Sequence, residues 1–172
     1  MAPETARLEF ITEKLVTAPD DLDIVIATAL ADPSAAIRQA AMGMIDQLPA
    51  DKAAPILISA SLDNDGFVRS DAINAIHLLP SSIRLKTLAA ALGSPHPSTR
   101  SEIISLIAND RSKPAVELMF QSLDDSDTTV RTTAATQIES LLAQEFESAK
   151  KASSWWEAHR LQFDDKLRRI SK

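Results

Sequence analysis

Apolar positions recur along the chain with a period of 31 residues, and each occurrence has the spacing of one helix face. The period is clearest at four arginines, which are Arg38, Arg69, Arg100 and Arg131. The position seven residues after each arginine is always isoleucine: Ile45, Ile76, Ile107 and Ile138. The positions at −1 and +3 are also mostly apolar, and offsets of −1, +3 and +7 share one side of a helix. The pattern therefore predicts four amphipathic helices that bury the isoleucine and carry the arginine in the first turn.

A second apolar helix is predicted before each of these four helices. Its inward positions keep the 31-residue spacing and are Ile26, Leu57, Leu88 and Met119. A further leucine follows at Leu30, Leu92 and Leu123, whereas the second copy has Leu62, one place late. The repeated unit is therefore a first helix, a turn, a second helix and a short connection.

Aspartate, serine and proline fill the turn between the two helices of each pair. The four turns read Asp32-Pro33-Ser34, Asp63-Asn64-Asp65, Ser94-Pro95-His96-Pro97 and Asp124-Asp125-Ser126-Asp127. Aspartate and serine favour the helix N-cap and proline favours the first helical turn, so Pro33 and Pro97 are predicted to open the second helix. Pro49 and Pro80 are predicted to end that helix in the first two copies.

The N-terminal end departs from the pattern in a way that predicts a cap. Arg7 extends the arginine series backwards by one period, and Phe10 and Ile11 follow at the expected apolar offsets. Lys14 replaces the isoleucine, with Leu15 as a neighbouring substitute. Residues 1–20 are therefore interpreted as an N-terminal half-repeat, helical over 4–16.

The C-terminal end, residues 143–172, is predicted to carry a capping helix over 154–170. Ser154 and Glu157 have the spacing of a capping box. The apolar stripe that follows consists of Trp156, Phe163, Leu167 and Ile170. The Trp155-Trp156 pair could also stack on a ligand or anchor a partner. Covering the apolar end of a helical array is the favoured interpretation, because such an end must be buried.

The repeats resemble HEAT-like repeats, especially the short bacterial type first described in phycobilin lyase subunits. The resemblance spans residues 22–142 and rests on the segments that end in Ile37-Arg38, Val68-Arg69 and Val130-Arg131, each with aspartate in the turn before it. It implies an all-α fold, an α-solenoid of about four helix-pair repeats, in a single domain over residues 1–172. It also implies that the arginines form a structural ladder to aspartates of neighbouring turns, at Asp32, Asp63 and Asp125; an anion-binding stripe is the alternative. The third copy departs from the pattern, with Ser94 and Thr99.

The charge distribution argues against nucleic acid as a partner. The formal net charge is −6, and the basic residues are enriched in the last 30 positions, so the repeats themselves are strongly acidic. Such a body repels phosphate backbones. No apolar run is long enough for a membrane span, the first ten residues lack the pattern of a signal peptide, and cysteine is absent. The expected location is the cytoplasm.

No catalytic, cofactor-binding or metal-binding residue set is predicted. Asp63 and Asp65 have the spacing of two calcium-loop ligands, but Ala72 stands where the loop needs its bidentate glutamate. The three histidines, His77, His96 and His159, lack a second histidine at helical spacing and a following glutamate. Phosphate loops and nucleophile motifs are also missing. The chain is therefore expected not to be an enzyme.

The candidate binding surface is the outward face of the second helices, which lines the concave side of such a solenoid. It is defined by the positions at +1, +5 and +8 from each arginine: Gln39, Gly43, Asp46, Ser70, Asn74, His77, Ser101, Ser105, Ala108, Thr132, Thr136 and Glu139. These side chains are mostly small and uncharged, which suits close approach by another backbone. The predicted function is a scaffold or adaptor that binds a protein or peptide. Two alternatives stay open: an accessory subunit of a bilin lyase-like or other enzyme, and a structural subunit docked by its tryptophan-containing end.

Overall fold

The computed structural model describes residues 2–17 and 21–170, without the side chains of residues 15 and 16, and this part of the chain is all-α. Its ten α-helices are α1 (Glu4–Thr17), α2 (Leu22–Ala29), α3 (Ala35–Met42), α4 (Ala50–Ala60), α5 (Gly66–Leu78), α6 (Ser81–Ala91), α7 (Pro97–Ala108), α8 (Lys113–Gln121), α9 (Thr128–Leu142) and α10 (Ala149–His159). Short 3-10 helices cover Ile45–Gln47, Ser122–Asp124 and Arg160–Gln162. The described residues contain no strand, only one antiparallel bridge between Phe163 and Arg169. Within the same residues, no helix has the length and apolar content needed to cross a membrane.

The chain divides into two compact units, Met1–Ala91 and Leu92–Lys172. In the first unit α1 packs against α2 and α3, α3 packs against α5, and α4 packs against α5 and α6. The core of this unit contains the inward positions predicted from the period: Ile26, Ile37, Ala41, Ile45, Leu57, Val68, Ala72, Ile76 and Leu88. The apolar pattern is therefore confirmed for this unit, while the assignment of residues 1–172 to a single domain stays a prediction.

In the second unit α7 packs against α8 and α9, and α8 packs against α9. The predicted inward positions are again buried, namely Thr99, Ile103, Ile107, Met119, Leu123, Val130, Ala134 and Ile138. Thr99 is the polar member of the series, and it is enclosed as fully as its apolar counterparts. The position, more than the residue type, decides burial here.

In the turns before α5 and α9, two aspartates have separate roles. In the turn before α5, Asp63 Oδ1 accepts a hydrogen bond from the Asp65 backbone N–H at 2.7 Å, which shapes the turn. Asp65 then caps α5, because its Oδ1 accepts the backbone N–H groups of Phe67 and Val68. Asp125 and Asp127 repeat this division before α9. The prediction of aspartate N-caps is confirmed at these two helices.

The prolines open helices less regularly than predicted. Pro97 is the first residue of α7, as predicted. Pro33 is not in a helix, because Ser34 takes the N-cap position and α3 begins at Ala35. The reason is local: the Ser34 backbone N–H donates to Asp32 Oδ1, which keeps these residues in a turn. The prediction for Pro33 is therefore wrong.

The second copy buries a serine where the others place a leucine. Ser61 is fully buried, and its hydroxyl donates to the Ile58 carbonyl at 2.7 Å. Leu62, expected to serve one place late, is instead exposed. A small polar residue fits this position because its hydroxyl is satisfied within its own helix.

The C-terminal helix is shorter than predicted and begins earlier. Helix α10 begins at Ala149, with Ser148 as the N-cap, so Ser154 lies inside the helix and does not start it. The helix ends at His159, and the chain then turns, with Leu167 at a positive φ of 56°. Trp156 and Phe163 are buried, but Ile170 is exposed. The prediction of one helix over 154–170 is therefore wrong.

The N-cap of α9 is expected to contribute measurably to stability. Replacing Asp127 with alanine removes the acceptor for the Thr129 and Val130 backbone N–H groups and should lower the free energy of unfolding by about 1 kcal/mol. The matched control is Asp124→Ala, an exposed residue of the same turn, which should change stability by less than about 0.5 kcal/mol. Urea unfolding followed by circular dichroism measures both, and equal effects of the two substitutions would contradict the capping role.

Candidate functional site

Three of the arginines in the series, Arg7, Arg38 and Arg100, lie in the first turn of their helices and bind a carboxylate 25 residues further along the chain. In the first unit, Arg38 donates from Nε to Asp63 Oδ2 at 2.7 Å and from Nη2 to Asp63 Oδ1 at 2.8 Å. Arg7 binds Asp32 in the same bidentate manner, at 2.9 and 3.0 Å. The contact implied by the family resemblance is therefore present at Arg38, and it extends to the helix of the N-terminal segment.

The second unit contains the same arrangement once more. Arg100 donates from Nε and Nη2 to the two carboxylate oxygens of Asp125, at 2.8 and 2.7 Å. Bidentate pairs of this kind are short and strongly directional. Because the outer edges of these guanidinium groups are already occupied by carboxylates, Arg7, Arg38 and Arg100 offer little to an external anion.

The pairs lower the pKa values of their carboxylates. The hydrogen bonds from Arg7 and Arg100 hold the pKa values of Asp32 and Asp125 below the usual value, against the opposing effect of burial. For Asp63 burial acts to raise the pKa, but the hydrogen bonds from Arg38 and from the Asp65 backbone outweigh it, so the pKa of Asp63 is also lowered. All three aspartates are therefore charged at neutral pH.

In the first unit, the predicted binding face lies mainly on α5. Asn74 and His77 are exposed, while Ser70 on α5 and Gln39 on α3 are half-buried. Gly43 and Asp46, at the end of α3 and just beyond it, are exposed as well. The side chains of this face are accessible, and α5 offers the larger share.

Two exposed residues of this surface lie outside the positions that the repeat pattern predicts. Phe67 and Leu78, at opposite ends of α5, have exposed fractions of 73% and 82%. Both lie on the same line along the helix as Asn74, because seven and eleven residues span nearly whole numbers of turns. The other copies have Ala36, Ser98 and Thr129 at the first position and Gln47, Asn109 and Ser140 at the second. A large apolar residue at a position that is otherwise small or polar was the available signal.

In the second unit, the predicted face is divided between an accessible and an enclosed part. Thr132 and Thr136 on α9 are exposed. Ser101 and Ser105 on α7 are half-buried, and the Ser105 hydroxyl donates to the Ser101 carbonyl at 3.1 Å. Ser101 Oγ is enclosed and has no hydrogen-bond partner among the described residues. In this unit, the accessible part of the predicted binding face is therefore on α9.

Two further positions of the second unit are not available as binding residues. Ala108 is buried, so its placement on the face is wrong. Glu139 accepts the Phe146 backbone N–H at 2.9 Å, which ties the carboxylate to the loop after α9. Both positions lie near the C-terminal end of their helices, Ala108 as the last residue of α7 and Glu139 in the last turn of α9.

The C-terminal aromatic residues pack on each other and on α8. Trp156 is buried and stacks on Phe120, with ring centroids 5.7 Å apart. Trp155 is half-buried between Phe146 and His159, and the imidazole is parallel to the indole at 4.4 Å. The tryptophan faces are therefore largely occupied within the chain.

Metal ligands do not converge within the described part of the chain. No group of three His, Asp or Glu side chains there could hold a metal ion. His77 is exposed on α5, His96 Nε2 is enclosed in the second unit, and His159 stacks on Trp155. The absence of a cofactor and of catalysis stays a prediction.

No protein-family model matches the chain, and no curated protein matches it. The assignment of a function therefore depends on the accessible faces of α5 and α9.

Proposed function

We infer that the chain is a non-catalytic protein–protein interaction module, a scaffold or adaptor that binds a protein or peptide along the exposed face of its second helices. In this proposal the helix pairs form a HEAT-like α-solenoid of about four 31-residue repeats, with an N-terminal half-repeat and a C-terminal cap. The binding face is concave, no cofactor is required and the location is cytoplasmic. The unbroken arginine and isoleucine period, together with the buried inward positions in each unit, supports this architecture.

The observation that carries the proposal is the apolar stripe at the surface of α5. The helix buries Val68, Ala72, Ile73 and Ile76 on one side and still exposes Phe67 and Leu78 on the other. An isolated exposed apolar side chain is common, but two on one line of a helix form a pair of anchor points. Burying each against a partner contributes roughly 1.5–3 kcal/mol. Asn74 lies between them and can donate and accept hydrogen bonds.

The rest of the accessible face favours close approach. Ser70, Thr132 and Thr136 are small and uncharged, so a partner backbone can pack against them without displacing long charged side chains. Polar groups of this type fix the orientation of a partner, and apolar anchors supply the larger share of the affinity. The tryptophan-containing end offers less apolar surface to a partner, because Trp156 and Phe163 are already buried within the chain.

The face can be tested with one variant and one matched control. The double substitution Phe67→Ser and Leu78→Ser removes both anchors, and the control Ile24→Ser and Leu161→Ser removes two other exposed apolar side chains, with exposed fractions of 62% and 80%. Both variants should keep the stability of the original chain to within about 0.5 kcal/mol per site, since the side chains are exposed. A partner captured by the original chain should bind the face variant at least about 100-fold more weakly, which corresponds to two lost anchors.

The measurement is affinity capture compared by mass spectrometry, followed by calorimetric titration of the purified partner into each variant. Partners retained by the control and lost by the face variant support the proposal. Equal capture by all three proteins, or a loss confined to the control, would contradict it. A third variant, Asn74→Arg, adds bulk and charge between the anchors and should also abolish binding.

A further inference from the structure

Backbone carbonyls just before each helix hold its paired arginine in one side-chain conformation. The Arg38 Nη1 group donates to the backbone carbonyls of Asp32 and Pro33, at 2.9 and 3.1 Å. Arg100 Nη1 donates to the Ser94 carbonyl at 2.9 Å. The backbone thus holds one end of the guanidinium group, and the Nε–Nη2 edge points at the carboxylate. The direction of this edge therefore follows from the backbone contacts of the arginine and not from the aspartate that it binds.

Arg131 makes the same backbone contacts but has no carboxylate partner among the described residues. Its Nη1 group donates to the Asp125 and Ser126 carbonyls at 2.7 and 3.0 Å. The position 25 residues further along is Trp156, whose ring packs on Phe120. Among the described residues no carboxylate binds Arg131, and its Nε has no acceptor there.

A threonine of the same helix accepts one hydrogen bond from Arg131. Arg131 Nη2 donates to Thr128 Oγ1 at 2.8 Å. The corresponding positions of the other copies are Ala35, Gly66 and Pro97, which have no side-chain acceptor. Nη2 carries two N–H groups, so one of them, together with Nε–H, is still available for a carboxylate. Arg131 is half-buried, so part of the residue is in contact with solvent.

We propose that Arg131 is a binding site for an aspartate carboxylate in an acidic turn of a protein partner, which continues the arginine–aspartate series beyond the chain. The chemistry follows from the three internal pairs, in which the same edge of the guanidinium binds both oxygens of an aspartate in a turn. Because Arg131 is already immobilised by two backbone carbonyls, little side-chain entropy is lost on binding.

A different protein fits this site better than a second copy of the chain. The aspartates that could bind in the same manner, Asp32, Asp63 and Asp125, are engaged by Arg7, Arg38 and Arg100. To offer the aspartate from the equivalent position of one of its own turns, a second copy would have to break one of its bidentate pairs. The site does not depend on binding along α5 and α9, and either function can fail without the other.

The carboxylate site can be tested by NMR on the intact chain, with sodium acetate as the probe. The Nε–H signal of Arg131, assigned by its loss in Arg131→Lys, should shift downfield and saturate as acetate is added. The Nε–H signals of Arg38 and Arg100, which are already bound, should not move. Sodium chloride at the same concentration should leave Arg131 unchanged. The proposal is overturned if the Arg131 Nε–H signal does not shift with acetate, or if it shifts equally with chloride.

A second titration tests the acidic turn. A synthetic peptide that copies residues 57–68 should shift the Arg131 signal at lower concentration than acetate does. The same peptide with Asp63→Asn should bind at least about tenfold more weakly, since the charge-assisted fork is lost. Equal binding of the two peptides, or a response to acetate alone, would rule out a partner turn as the ligand.

Two controls separate this site from folding and self-association. Thr128→Ala keeps Arg131 and releases Nη2, so the acetate response should persist. Its loss would show that the two backbone carbonyls alone do not hold the Arg131 side chain in place. In analytical ultracentrifugation the sedimentation coefficient of the original chain and that of Arg131→Gln should show the same dependence on concentration. Self-association that disappears in Arg131→Gln would identify a second copy as the occupant and overturn the assignment to a different protein.

Discussion

Replacing Trp156 with alanine is expected to lower the free energy of unfolding of the second unit by about 3–5 kcal/mol. The indole has an exposed fraction of 3%, stacks on Phe120 at 5.7 Å and lies 5.8 Å from Phe163. Alanine would leave a cavity between α10 and α8 and would remove both aromatic contacts. Loss of this packing also exposes the Phe120 ring on α8, so the variant should self-associate at high concentration.

Two controls show whether the effect comes from this packing. Trp156→Phe keeps an aromatic ring and should recover most of the stability. Leu161→Ala removes an exposed side chain from the same end of the chain and should cost less than about 0.5 kcal/mol. Both tryptophans of the chain lie on α10, so in the Trp156 variants the fluorescence of Trp155 reports on this region, while circular dichroism reports on the whole chain. An unchanged urea midpoint for Trp156→Ala would mean that α10 is an appendage and not a cover.

The helix pairs could be predicted because two signals agree at every copy. The apolar offsets give the buried side of each second helix, and the arginine marks its first turn, where the structure places Arg38, Arg69, Arg100 and Arg131 as the fourth residue of α3, α5, α7 and α9. Burial follows the period even where the residue changes, as at Thr99. Periodicity in a repeated unit therefore predicts more than any single residue does.

The C-terminal segment could not be predicted in the same way. Its apolar residues have the spacing of one continuous helix, but in the structure a turn interrupts the segment. Asp164 Oδ1 accepts the backbone N–H groups of Lys166 and Arg168, and its Oδ2 accepts Arg168 Nε. These bonds favour a tight turn over a continued helix. The Asp164-Asp165 pair was the turn signal, and the helical spacing of Phe163 and Leu167 concealed it.

The binding face was only partly predictable, since an offset from the arginine gives direction but not accessibility. Asn74 and Thr136 are accessible, whereas Ala108 is buried and Glu139 is bonded to the chain after α9. Whether an outward position stays accessible depends on tertiary contacts, such as the hydrogen bond between Glu139 and the loop after α9. Such long-range features are absent from a local pattern.

Breaking the Arg38–Asp63 pair is expected to be nearly as costly as removing Trp156. The side chains of Arg38 and Asp63 are only 13% and 11% exposed, and Arg38 also satisfies two backbone carbonyls of the turn before α3. Arg38→Met leaves a half-buried carboxylate without its partner and should lower the free energy of unfolding by about 3 kcal/mol. The double variant Arg38→Met and Asp63→Asn should be less destabilised than the sum of the two single variants, because no unpaired charge remains.

The pH dependence of Asp63→Asn provides a separate test of the same pair. The pKa of Asp63 is lower in the folded chain than in the unfolded chain, where it is about 3.9. A lowered carboxylate pKa gives stability that is fully present above the unfolded value and is lost as the pH falls through the folded value. The stability difference between the original chain and Asp63→Asn should therefore be largest at neutral pH and should narrow below about pH 4. Urea unfolding by circular dichroism at a series of pH values measures the difference. A gap that is constant with pH would show that the aspartate stabilises the turn through its shape alone, and not through its charge on Arg38.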